Sequence, residues 1–249
     1  MNQIIEQYFD LSQMSKHFDE VLNGFVITLE LALVATVLAL IWGLLLALLR
    51  QLPGKGFMPL RFLTIGYIDV FRGVPLLILI LLISGSLAFL PLPDALTIPQ
   101  WFGKPDNFWY GIMALVLVYG AYYAEVYRAG IEAVPSGQME AARSLGMSHG
   151  QAMRNVVVPQ AVRKVIAPML NEFTALLKDT TLVSVIALNE VALVGRDIQS
   201  KTFNSSALTL GAILFLVIVL PLARLVDRLI ARERARTSRG GAPPVMQHH

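Results

Sequence analysis

Between Phe25 and Leu49 the chain carries a single charge, Glu30. A helix needs roughly 20 mostly apolar residues to cross a ~30 Å hydrocarbon core, so this run reads as a membrane-crossing helix. Three further stretches repeat the pattern: 73–92 without a charge, 107–124, and 206–226 with Pro221 near its end. A fifth is broken. It runs from Val165 to Leu177 through Glu172, is interrupted by Lys178-Asp179-Thr180-Thr181, and resumes from Leu182 to Leu188. Composition agrees, with 55% hydrophobic and only 15% charged residues, where a soluble domain carries about a quarter charged. The expected fold is an all-α integral membrane protein with five transmembrane helices, the fourth irregular.

The basic residues set the orientation. Fifteen of the 20 Lys and Arg fall in three places: the loop after the first span (Arg50, Lys55, Arg61, Arg72), the loop after the third, and the tail. This puts the N-terminus outside and the C-terminus in the cytoplasm. It also accounts for the net charge of +3 without nucleic acid. There is no cysteine, and none of the four histidines lies in a span, which argues against thiolate metal sites and transmembrane haem ligation. No paired catalytic groups fall within the spans, so an intramembrane hydrolase is disfavoured. Residues 1–23 lack a cleavable leader pattern. Ile4, Ile5, Tyr8 and Leu11 share a helical face suited to the outer interface. Residues 232–249 read as a cytoplasmic, disordered tail.

The long cytoplasmic loop, about 132–164, is patterned as two short helices. Ser136 is placed to cap the first, Gly146 to stop it, and Ser148 with Gln151 forms a capping box for the second, which Pro159 ends. Met139, Ala142 and Leu145 recur at three-residue spacing and give the first helix a narrow apolar face. That face suits a groove on a partner protein, or packing on the chain's own helices.

Glu140-Ala141-Ala142, three residues, Gly146, nine residues, then Val156-Val157-Val158-Pro159 resembles the EAA loop of ABC-importer permeases, with valine at both aliphatic positions of the closing motif. Tyr67 to Leu77, Ala121 to Ile131, and Asn171-Glu172-Phe173 with Leu177 to Leu182 are similar to further signatures of the polar amino acid branch. The resemblance spans residues 24–230. It implies a type I importer transmembrane domain over residues 24–231, paired with an identical or homologous second permease subunit. Two ATPase subunits, holding ATP and Mg, would grip the loops through Met139, Glu140, Ala141, Ala142, Leu145 and Gly146. An extracytoplasmic binding protein would deliver a polar amino acid at the bacterial inner membrane. The chain itself has no G-x-x-x-x-G-K-S/T phosphate loop and no expected cofactor or metal. A gradient-driven transporter or channel is the rival reading.

Charges near the bilayer each need a reason, because insertion costs on the order of 2.5–3.5 kcal/mol. Glu30 lies within reach of water at the outer interface. Glu125 and Arg128 share a helix face and can pair, as can Asp69 and Arg72, with a gate at Pro75 as the alternative for the latter. Glu172, with Asn171, Lys178 and Thr181, either lines a pathway or makes interhelical hydrogen bonds. The tyrosines 119, 122, 123 and 127 shape that pathway or anchor the helix. The proline-rich outer segment 91–107, with Trp101 and Phe102, either receives a partner or caps the bilayer.

Overall fold

The computed structural model describes residues 2–89 and 103–240, and among them every regular element is helical. In order these are α1 (Asn2–Phe9), α2 (Leu11–Lys16), α3 (Phe18–Arg50), α4 (Met58–Gly73), α5 (Leu76–Phe89), α6 (Asp106–Glu132), α7 (Ser136–Ser144), α8 (His149–Ala152), α9 (Val158–Asp179), α10 (Val191–Thr202) and α11 (Ser206–Gly240). Most of the segment 91–107 and the terminal residues 241–249 lie outside the described residues.

The centre of the fold is the crossing of α3 and α6. Ala32, Ala35, Ala39, Gly43 and Ala47 form a buried small-residue stripe on α3. Without a hydrophobic drive between helices in lipid, such stripes let backbones approach and gain dispersion contacts. Here they approach very closely. A Cβ on Gly43 would lie 2.8 Å from the Gly120 carbonyl oxygen, and one on Gly120 would lie 2.5 Å from Cδ1 of Trp42. The Trp42 indole N–H donates to the Tyr67 hydroxyl at 2.8 Å, which donates to the Leu117 carbonyl at 2.9 Å, so α4 is tied to the same crossing. The opposite face of α3 presents Leu33, Val37, Ile41 and Leu44 outward, as a lipid-facing surface does.

Around this pair, α5, α9 and the 3-10 turn Thr180–Ile186 complete one core through Ile80, Leu115, Leu176, Leu177 and Val183. A second core joins α2, α3, α10 and α11 through Met14, Val21, Phe25, Ile198 and Leu210. The N-terminal helices are bound to the start of α11: the Ser205 amide donates to the Gln7 carbonyl at 2.8 Å and the Asp10 amide to Ser206 Oγ at 2.9 Å. Ile4, Ile5, Tyr8 and Leu11 remain exposed there. Glu190, fully buried, accepts from the Ala192 and Leu193 amides and starts α10.

Several expectations change. The spans are less regular than the sequence suggests: among the described residues α3, α6 and Ser206–Arg232 are each long and apolar enough to cross, Lys55–Gly73 and Leu76–Leu87 are so only together, bent by 106°, and the charged α9 is not, so four segments at most qualify where five were expected. Residues 58–72 are therefore not a loop but a helix packed on α3 and α6. Arg72 lies at the break of a span. The break falls at Val74, extended at φ −81°, ψ 129°, because Pro75 has no amide hydrogen to continue the ladder. The last helix continues to Gly240, so residues 232–240 extend it rather than leaving it as a free tail.

Candidate functional site

The segment 132–164 forms much as its local signals dictate. Gly146, at φ +87°, closes α7: the Met147 amide donates to the Ala142 carbonyl and the Gly146 amide to the Arg143 carbonyl. These are the paired bonds of a left-handed helix stop. Ser148 and Gln151 form the reciprocal capping box, at 2.9 and 3.3 Å. Two details differ. Ser136 makes no cap; Pro135 occupies that position and Ser136 is already helical. Pro159 does not end the second helix either. A π-turn, Met153–Val157, carries α8 into α9, and Pro159 sits in the turn that follows it.

The apolar face of α7 divides. Ala142 is buried and Met139 packs against a small core of Val134, Val157 and Ala161. Leu145 is 81% exposed, with Glu140, Ala141 and Gly146 beside it on the surface. Met139 and Ala142 thus hold the helix to the chain, while the others face outward.

The second feature is a cavity of about 460 Å³ with a mixed wall, in which Arg72, Tyr119, Tyr122, Glu172 and Asp179 stand among apolar groups and the backbone of Gly73 to Leu76. Two interrupted segments converge here: the break between α4 and α5, and the C-terminal end of α9. Arg72 lies over the Tyr122 ring at 5.5 Å, and Tyr119 donates to Asp179 Oδ2 at 2.8 Å. Glu172, half-buried, also borders a cavity of about 430 Å³ with Glu125, Arg128 and Lys164, and a third of about 490 Å³ with Asn171, Arg163 and Arg232. The three cavities share Glu172 and follow the α9 face that carries Lys164, Pro168, Glu172 and Asp179.

That face was readable from the helical period. Asp179 is seven residues from Glu172 and returns to the same side, whereas Lys178, six away, points elsewhere. Lys178 is exposed and borders none of these three cavities, and Thr181 donates only to the Lys178 carbonyl at 2.7 Å. Neither joins Glu172, in contrast to the grouping expected. Pro75 marks the break at residues 73–76 in the sequence, whereas nothing there points to the Asp179–Tyr119 bond.

Glu125, Arg128 and Glu30 find partners. Glu125 pairs with Arg128 as expected, and also with Arg50 at the end of α3; Arg128 reaches Glu132 in turn. Glu30 pairs with Lys104 in addition to its exposure to water. Asp69 and Arg72 do not pair, because Arg72 turns to Tyr122. No cluster of metal-binding side chains exists among the described residues.

Residues 39–235 match the model of the binding-protein-dependent transport system inner membrane component. The chain belongs to that family. It is a multi-pass subunit of the inner membrane, and the family's permeases are membrane subunits of ABC transporters. Among its relatives, the arginine transport system permease protein ArtQ of Bacillus subtilis is 32% identical, over 85% of this chain and 91% of that protein. The histidine/lysine/arginine/ornithine permease HisQ of Salmonella typhimurium is 38% identical, over 69% and 74%. A solved amino acid ABC transporter with histidines superposes with a TM-score of 0.76 at 35% identity, covering 88% of this permease and 96% of that chain. The methionine transporter MetNI, at 16% identity and a TM-score of 0.69, shares the fold.

Proposed function

We propose that this permease subunit moves a polar L-amino acid inward through the cavity bounded by Arg72, Tyr119, Tyr122, Glu172 and Asp179. The convergence of two interrupted segments on a site holding both charge signs carries the reading. Irregular backbone at membrane depth is tolerated where it lines a cavity, and broken helices expose end dipoles to a substrate. Arg72, with the N-terminal end of α5, faces an α-carboxylate; Glu172 and Asp179 face an α-ammonium and any cationic side chain. A cationic substrate fits best, since Lys178 lies apart and two carboxylates stand against one guanidinium. The relatives' names, which include arginine, glutamine and glutamate permeases, support an amino acid as cargo.

Two partner ATPase subunits, which hold the ATP and Mg, engage the exposed Glu140 and Ala141 of α7 with Leu145 and Gly146 just after it. Met139 and Ala142 fix that helix to the permease. A second permease subunit, identical or homologous, completes the membrane domains into a dimer, and an extracytoplasmic binding protein delivers the substrate. The N-terminus is outside and the C-terminus cytoplasmic, consistent with the basic track of Arg163, Lys164 and Arg232 at the inner end.

The test is ATPase activity of the chain reconstituted with its partner ATPase and binding protein, scanning amino acids singly. Stimulation by a cationic amino acid, lost on Gly146→Val, is the expected result. Transport by the chain alone, indifferent to any ATPase, would overturn the reading in favour of a gradient-driven carrier.

A further inference from the structure

Four alternating charges join the cytoplasmic ends of two spans just before the coupling segment. Arg50, the last residue of α3, pairs with Glu125 of α6; Glu125 also receives Arg128 at 2.7 Å, and Arg128 reaches Glu132. Arg50, Glu125 and Arg128 are only 27%, 17% and 33% exposed. Partial burial of this kind makes loss of one partner costlier than at an open surface.

Two features make this network more than a surface bridge. Glu125 and Arg128 border the cavity that Glu172 shares with Lys164, so their side chains form part of the wall at its inner end. The same helix end leads into α7 within four residues: Glu132 closes α6, and Ile131 and Val134 pack against Met139 and the start of α9. A displacement of α7 therefore reaches the wall through the end of α6. Arg50 stands outside both the cavity wall and α7, and anchors that end to the rigid α3–α6 crossing at Gly43 and Gly120.

We propose that Arg50 is a positioning residue for energy coupling: by holding Glu125 it makes the end of α6 a fixed lever, so that movement of α7 changes the inner mouth of the cavity instead of being absorbed by bending. The proposal rests on the coupling role of α7 given above. Its mechanism is contact through a contiguous packed and ion-paired chain, the physical route by which sites influence one another.

The experiment measures amino acid moved per ATP hydrolysed by the complete transporter in proteoliposomes. Arg50→Gln is expected to retain hydrolysis while lowering the transported amount per ATP by about fivefold or more, the low end of ordinary coupling between sites. Arg50→Lys, which keeps the charge, should restore most of the ratio. Glu125→Gln, which loses Arg128 as well, should lower the ratio at least as far as Arg50→Gln, and the double variant should be no worse than Glu125→Gln alone. An unchanged ratio in Arg50→Gln overturns the proposal. So does a proportional fall in hydrolysis and transport that Arg50→Lys does not rescue, which marks a role in folding alone. Absence of ATP-driven uptake in the unaltered transporter would remove the coupling reading itself, and the lever with it.

Discussion

Residues 132–164 take their shape from sequence neighbours, whereas the cavity at Glu172 is assembled from segments as distant as Arg72 and Asp179. In the first region each turn has a chemical cause within a few residues: the positive φ of Gly146, the exchange between Ser148 and Gln151, the proline pair at 135 and 159. In the second, the hydrogen bond and the cation–ring contact join residues far apart in sequence. Tyr119 meets Asp179, and Arg72 meets Tyr122, only because α3 and α6 cross at glycine distance and draw α4 and α9 against them. A segment at the surface can be specified locally because water satisfies its open groups. A polar cavity in a membrane cannot, since each of its groups needs a partner supplied by another helix.

The sharpest way to break this contrast is at the crossing. Gly120→Leu places a side chain against Trp42, and overpacking there costs about 3 kcal/mol. The expected result is loss of the monodisperse transporter on size exclusion, cavity and fold failing together. A well-folded Gly120→Leu protein would show the cavity to be less dependent on the crossing than the geometry indicates.

Glu172→Gln removes one charge without altering shape. Hydrogen bonds to charged groups contribute about 1.5–3 kcal/mol, so uptake of a cationic amino acid should fall about tenfold or more while the thermal midpoint stays within a degree or two. Uptake equal to the parent would assign Glu172 to interhelical bonding instead.

Gly146→Val tests the local side. A β-branched residue in the left-handed region is strained by about 1–2 kcal/mol, so the α7 turn should open. Membrane insertion and thermal stability should remain normal while substrate-stimulated hydrolysis is lost, read by ATPase assay. Normal stimulation would remove Gly146 from coupling.

The smallest effect is expected from Ser148→Ala. Loss of the cap costs about 1 kcal/mol and should raise amide exchange only at the start of α8, seen by hydrogen–deuterium exchange. Exchange spreading to α9 would mean that the segment is not locally encoded after all.

How far the sequence could be read follows the same division. The Gly146 stop, the capping box and the Glu125–Arg128 pair were legible because each depends on spacings of three or four residues on one helix. The Glu172 site was half legible. The residue stood out as an ionisable group in a broken apolar run, yet the neighbour singled out was Lys178, which the helical period sends to another face, and Asp179 on the correct face was passed over. Pro75 signalled a disturbance but not a bend of 106°, since proline removes one hydrogen bond and leaves the direction of the chain to its neighbours.

Composition and short-range spacing were enough to show that this chain is built for a membrane, where along it the basic residues cluster, how α7 stops and how α8 starts. These rest on composition and on interactions of short reach, which no partner segment needs to complete. Helix packing is what turns Arg72 from Asp69 to Tyr122, brings Glu30 to Lys104 and Arg50 to the Glu125 pair, and points Met139 and Ala142 inward while Leu145 stays exposed. A charge in a low-dielectric setting takes the best partner that packing brings within reach, and which partner that is depends on how the helices cross.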